Sequence, residues 1–118
     1  MKKSSLDVVR GTLDVLILRA LSWGAQHGYA VSQWIREQTD EELLVEEGAL
    51  YPALYRMEAK GWIVAEWGAS EHNRRAKYYV LTPDGRRHLK QEMAIWERYT
   101  LAVSRILSAT SGPGLRRA

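Results

Sequence analysis

Between Glu47 and Glu58 the residues Leu50, Leu54 and Met57 recur at helical spacing and call for a core, while Tyr51 and Tyr55 stand one turn apart off that stripe with Arg56 nearby. Pro52 has no amide hydrogen, so it belongs in the first turn, which puts the start of this helix near Gly48 or Ala49. Lys60-Gly61 closes it, with Gly61 as a left-handed cap. Trp62 to Trp67 and Lys77 to Leu81 are rich in β-formers, and the loop from Gly68 through Ala76 carries Arg74 and Arg75 on its returning edge. A helix with two exterior phenols followed by a basic hairpin has the order of a winged helix-turn-helix. The expected class is mostly α with a small β-hairpin (α+β). Its expected partner is a polyanion, double-stranded DNA.

The flanking segments fit that order. Leu13, Leu16, Ile17, Ala20 and Leu21 define a first helix starting near Gly11-Thr12, with Thr12 as cap. Ser22 to Gly28 breaks it, and Tyr29, Val31, Trp34 and Ile35 mark a second helix that closes near Gln38-Thr39. Thr82-Pro83-Asp84-Gly85 is a sharp helix start: a capping threonine, proline at the first position, an acid favourable to the dipole. The helix that follows runs to about Ser108. Along it Leu89, Met93, Trp96, Thr100, Val103 and Leu107 alternate spacings of four and three, beside a second stripe of Ile95, Tyr99, Ala102 and Ile106. So wide an apolar sector predicts a homodimer through the first stripe. The alternative is one amphipathic helix folded over its own domain. Among the tryptophans, Trp62 is expected in the core and Trp67 half exposed, with Trp23 and Trp34 as packing residues.

At 118 residues the chain suits one modest core. The expected organisation is a winged helix-turn-helix over 1–82, a dimerisation helix over 83–109 and a flexible tail over 110–118. The absence of cysteine removes disulfides, thiolate metal sites and cysteine nucleophiles, and agrees with a cytoplasmic protein. Met1-Lys2-Lys3 is not followed by a clean apolar run, so it does not read as a signal peptide, and no segment approaches the roughly 20 apolar residues of a membrane span. His27, His72 and His88 lack metal spacing, and no nucleophile elbow or phosphate loop appears, so no catalysis, metal or cofactor is expected. Net charge is only +3, but its distribution is uneven. Asp40, Glu41, Glu42, Glu46 and Glu47 form an acidic block, while Arg74, Arg75, Lys77, Arg86, Arg87 and Lys90 form a basic one.

The chain resembles the PadR family of bacterial transcriptional regulators. The resemblance is carried in order by Gly11-Thr12-Leu13-Asp14-Val15-Leu16-Ile17-Leu18, His27-Gly28-Tyr29, Glu47 to Leu54, Met57 to Ile63, Arg74 to Tyr79 and Leu81 to Gly85. It is similar to the short subfamily, with a single C-terminal dimerisation helix. The resemblance implies a homodimeric repressor, often autoregulatory, released by small molecules that in some members are phenolic acids or planar drugs. Glu71-His72-Asn73-Arg74-Arg75 is similar to the wing of regulators often found beside transporter or permease genes.

By that resemblance Ala49, Leu50, Tyr51, Pro52 and Tyr55 form the segment that enters the major groove. Arg74, Arg75 and Lys77 of the wing would meet phosphates or the minor groove, and Lys2, Lys3 and Arg10 would add an N-terminal contact. Few of the groove-facing side chains bind a base in a bidentate way, so DNA shape would carry part of the choice. A tryptophan matching Trp96 lines a pocket for flat aromatic molecules in the resembling subfamily. The expected effector site is therefore Trp96 with Met93 and Leu89 on its side and Leu13 and Ile17 approaching from the first helix. The opposing reading makes Trp96 a closed-interface anchor. A winged-helix protein-interaction module without ligand response is the rival function.

Overall fold

The computed structural model describes residues 6–7, 11–69 and 75–114. In chain order the elements are β1 (Leu6–Asp7), α1 (Leu13–Ala20), a 3-10 turn (Leu21–Trp23), β2 (Gln26–His27), α2 (Gly28–Gln38), β3 (Leu43–Leu44), α3 (Glu47–Ala59), β4 (Ile63–Ala69), β5 (Arg75–Leu81) and α4 (Pro83–Leu107). The chain is a winged helix with a long C-terminal helix. Its core gathers one face of each element: Ile17 and Leu18 from α1, Val31 and Ile35 from α2, Leu50, Leu54 and Met57 from α3, Ile63 and Leu81 from the sheet, Leu89 from α4. Fully burying each of these large aliphatic side chains contributes about 1.5–3 kcal/mol. No polar or charged residue is buried among the described residues.

The sheet is larger than the expected hairpin. β4 and β5 pair antiparallel from Ile63↔Leu81 to Ala69↔Arg75, and β2 adds a third antiparallel strand through Gln26↔Tyr79 and His27↔Tyr78. The apparent helix-breaking stretch after α1 is thus partly a strand. A separate parallel pair joins Leu6–Asp7 to Leu43–Leu44. Alternation along β4 and β5 puts Ile63, Ala65, Trp67, Arg75, Lys77, Tyr79 and Leu81 on one sheet face. That face is core at one end, where Ile63 and Leu81 are buried, and a charged aromatic wing at the other.

Several local expectations change. Thr12 is the cap residue of α1 but makes no side-chain capping bond. Trp23 is 65% exposed, tilted against Trp34 at 5.5 Å with the Arg19 guanidinium 4.3 Å above it, so it lies outside the core. Trp62 is partly buried and stacks on His88 of α4 at 3.7 Å. Gly61 takes the left-handed conformation its position predicts, with φ 77°.

The winged head and α4 meet in a close joint. The Thr82 amide donates to the Trp62 carbonyl at 3.0 Å, and its hydroxyl donates to the Gly61 carbonyl at 2.6 Å while accepting the Gly85 amide at 3.0 Å. Gly85 lies so close to the chain that a Cβ there would sit 2.0 Å from the Trp62 carbonyl oxygen and 2.7 Å from Leu81 Cδ1. Arg86 reaches back to the Ser22 carbonyl at 3.3 Å. One turn further on Leu89 is buried; residues 90–107 contain no buried residue.

Gly85→Ala is therefore expected to cost about 2 kcal/mol or more, because the added methyl meets backbone rather than a flexible side-chain end. Thermal unfolding should show a fall of roughly 8 °C or more. Gly112→Ala, where a Cβ meets nothing within 4 Å, serves as the control and should leave Tm unchanged.

Candidate nucleic-acid interface

The rotation of α3 about its axis is set by what it buries. Leu50, Ala53, Leu54 and Met57 point into the core, so Gly48, Tyr51, Pro52, Tyr55 and Ala59, which recur at three and four residues, form the outward face. Tyr55 is 76% and Tyr51 45% exposed. The Tyr51 ring lies over the start of α2, where a Cβ on Gly28 would come within 3.0 Å of Tyr51 Cε1 and 3.3 Å of Leu54 Cδ1. A glycine at the head of α2 is thus what lets the phenol lie flat against the body.

Two expectations about this segment are corrected. Leu50 is 1% exposed and offers no atom to a partner; it anchors the segment from beneath. Pro52 lies in the second turn, because α3 begins at Glu47. Proline there cannot donate to the Gly48 carbonyl four residues earlier, and Gly48 is exposed, so water can satisfy that acceptor. Ala49 is exposed at the helix start. Arg56 forms an ion pair with Asp14 of α1, so its charge ties two helices together.

On the wing, Arg75 and Lys77 share the sheet face with Trp67. The Arg75 guanidinium lies 4.3 Å above the Trp67 ring, which is 57% exposed, and a planar cation on an indole is held without losing its donors. Lys77 reaches inward, its Nζ 3.6 Å from Glu58 Oε2 on α3 and 5.4 Å from the Tyr79 ring centroid. Glu58 was not singled out in the sequence, because only the tertiary fold brings it to Lys77. Arg74, Lys2, Lys3 and Arg10 lie outside the described residues. Tyr51, Ala76 and Lys77 line one recess, so the bare face of α3 and the cationic face of the wing adjoin.

The expected effector site is only partly assembled as the sequence suggested. Trp96 and Met93 of α4 line a recess of about 420 Å³ against α1, with Val15, Leu16 and Leu43 completing its apolar wall and Thr12, Arg19 and Glu97 its polar groups. Leu13 and Ile17 are not in it: Ile17 is wholly buried and Leu13 packs against the core. α1 turns its 12–15–16–19 side to α4 and its 13–17 side inward. The polar groups were missed because they come from both helices. Trp96 also lines a second recess with Gly11, Ile95 and Tyr99.

The dimer stripe divides in the same way. Leu89 belongs to the head's own core. Met93 and Trp96 are exposed at 37% and 45%, Thr100 and Val103 are partly covered, and Leu107 is 80% exposed. The Thr100 hydroxyl donates to the Trp96 carbonyl at 3.0 Å, so its polarity is absorbed within the helix.

A core-anchored helix with an exposed phenolic face, a cationic wing beside it and a long trailing helix together define a DNA-binding winged-helix regulator. The chain belongs to the PadR-like family of transcriptional regulators, whose family model matches residues 17–91. It is 33% identical over 90 residues to an uncharacterized protein of Lysinibacillus sphaericus, covering 76% of this chain and 83% of that one. Among solved structures it is similar to a transcriptional regulator from Clostridium thermocellum (TM-score 0.75, 36% identity, 81% of this chain and 93% of the other). It is also similar to a PadR family transcription regulator from Clostridium difficile (TM-score 0.73, 30% identity, 83% and 100%). No helix among the described residues is long and apolar enough to cross a membrane.

The two sides of α3 should separate in a stability measurement. Leu50→Ala is expected to cost about 2–5 kcal/mol, from lost burial and a residual cavity. Tyr55→Ala should stay within about 0.5 kcal/mol of wild type in denaturant unfolding.

Proposed function

We propose that the chain is a homodimeric, ligand-responsive repressor that binds near-palindromic operator DNA through α3 and the wing. Its targets in this reading are its own promoter and neighbouring genes, such as those for transporters, permeases or detoxification, and it works in the cytoplasm. No catalytic step, metal or cofactor is assigned to it. The observation that carries the reading is the adjacency of Tyr51 on α3 to Ala76 and Lys77 on the wing, which makes one continuous surface of phenols and cations. Tyr51 and Tyr55 would donate to phosphates and pack on sugars or thymine methyls, with Ala49 and Pro52 close to the base edges. Arg75 would meet phosphate directly. Lys77 would exchange Glu58 for phosphate or share itself between them. Arg74, Lys2, Lys3 and Arg10 are assigned supporting phosphate contacts.

Dimerisation is assigned to α4, because the helix buries no residue beyond Leu89 and leaves most of its remaining apolar side chains exposed. A second copy covering Met93, Trp96, Thr100, Val103 and Leu107 would remove that surface from water. Two heads so joined would read half-sites about 34 Å apart. The recess beside Trp96 is of a size suited to a small planar aromatic molecule, within the roughly 300–1,000 Å³ typical of ligand pockets.

The rival reading, a protein-interaction module, draws on the pairing of Lys77 with Glu58 and of Arg56 with Asp14, which leaves Arg75 as the least encumbered cation of this face among the described residues. Salt dependence of duplex binding separates the two. Arg75→Gln and Lys77→Gln should each weaken binding and reduce the slope of log K against log salt by about 0.9. Slopes and affinity that match wild type would favour the rival. For the effector site, Trp96→Ala should abolish the thermal shift given by a phenolic acid or a planar aromatic dye while the dimer persists in sedimentation. Loss of the dimer instead would make Trp96 an interface anchor.

A further inference from the structure

A second set of residues on the same side of the molecule is not explained by α3 and the wing alone. Between the start of α2, α3 and β5 lies a recess lined by the phenols of Tyr29, Tyr51 and Tyr79, with Lys77 at its edge and no carboxylate in its lining. Tyr79 is only 5% exposed. Its hydroxyl forms no hydrogen bond among the described residues. No fully buried polar side-chain atom there lacks a partner, so this hydroxyl must break the surface where the residue lines the recess. A hydroxyl at the surface with no partner among the described residues is free to donate to an oxygen from outside the chain.

Two features around it are electropositive. α2 begins at Gly28, and the recess is built on that end, where helical amides lack intrahelical partners and the dipole is positive. One of those amides, Ala30, is already taken by Nδ1 of His27 at 3.1 Å. The Lys77 ammonium lies 5.4 Å from the Tyr79 ring centroid. Glu58, 3.6 Å from that ammonium, opposes it from outside the lining, and Tyr29 also borders a neighbouring recess that holds Glu37, Glu46 and Glu47. Tyr29, 61% exposed, forms the outer lip.

We infer that this recess seats a single backbone phosphate of the bound duplex, with the Tyr79 hydroxyl donating from its floor, Tyr29 and Tyr51 from its walls, and Lys77 and the α2 terminus supplying the positive potential. The inference rests on the DNA-binding reading and sharpens it. The seat fixes where the strand crosses the head, and so the register at which Tyr55 meets the groove. A free phosphate ion has the same chemistry; the duplex is favoured because the recess is continuous with the α3 face through Tyr51.

The test uses the full chain and a duplex selected in vitro by the wild-type protein. Each phosphate in turn is replaced by an uncharged methylphosphonate, and binding is measured for wild type, Tyr79→Phe and Tyr29→Phe. Tyr79→Phe keeps the ring and should keep Tm, yet lose roughly tenfold in affinity, as expected for one hydrogen bond to a charged group. At one phosphate per half-site the methylphosphonate should weaken wild type but add little further loss to either variant. If both variants bind like wild type, or if no phosphate shows that coupling, the inference is overturned while DNA binding stands. Tyr29→Phe, at an exposed position, keeps the test decisive should Tyr79→Phe unfold. A thermal shift with inorganic phosphate that depends on Tyr79, alongside a flat phosphonate scan, also overturns it in favour of a free-anion site. If wild type yields no selected duplex, the DNA-binding reading itself fails.

Discussion

The seating of Leu50, Leu54 and Met57 on α1 and α2 is the contact on which the rest depends. It fixes the rotation of a helix only a few turns long, and rotation decides which side chains a partner meets. A shift by one residue would turn Tyr51 and Tyr55 off the outward face and put Leu50 and Leu54, or Pro52 and Arg56, in their place. The same stripe reaches the sheet through Met57 and Ile63, so the wing inherits its position from the packing that orients α3. The exterior chemistry is therefore held by interior contacts, and the polar surface is free to be specialised because the core does not need it.

A second constraint is the joint at Thr82 and Gly85. A capping hydroxyl, a backbone hydrogen bond to Trp62 and an approach that only glycine allows lock the first turn of α4 to the end of α3. Trp62 stacked on His88 extends the lock by another turn. Beyond Leu89 the helix fully buries nothing: Met93 and Trp96 still flank α1, and Ile106 and Leu107 at the far end lie in the open. In the proposed dimer this rigid joint would convert the angle between two helices into the separation of two heads. An effector between α1 and α4 at Trp96 would act on that angle, which is a geometric route from a small molecule to half-site spacing.

Much of this was legible in the residues because the signals were local. The cap at Thr82-Pro83, the left-handed Gly61, the period of α3 and the alternation of β4 and β5 all depend on neighbours within a few positions; the two caps appear where the sequence puts them, while α3 starts earlier, at Glu47, and the strands run on into the expected loop, to Ala69 and from Arg75. What was not legible depends on distant partners. Gln26–His27 becomes a strand only because Tyr78 and Tyr79 come alongside it. Lys77 turns inward because Glu58 waits there. Ile17 and Val15 differ by half a turn, and the sequence alone could not say which would face α4. Leu50 fitted both a core stripe and a reading segment; burial assigns it to the first. Trp23 has the size of a core residue, yet it lies at a turn where Trp34 and Arg19 flank its ring and most of it stays exposed.

The proposed function requires the outward face of α3 and the adjoining wing face to meet duplex DNA together. Mapping amide and side-chain NMR shifts on titration with a selected duplex tests it most directly. The largest perturbations are expected at Tyr51, Tyr55 and Arg75, with Trp23 and the opposite wing face at Val64 and Glu66 undisturbed. Perturbations centred on Trp23 and Trp34, or on Val64 and Glu66, with Tyr51 and Tyr55 unmoved, would contradict it.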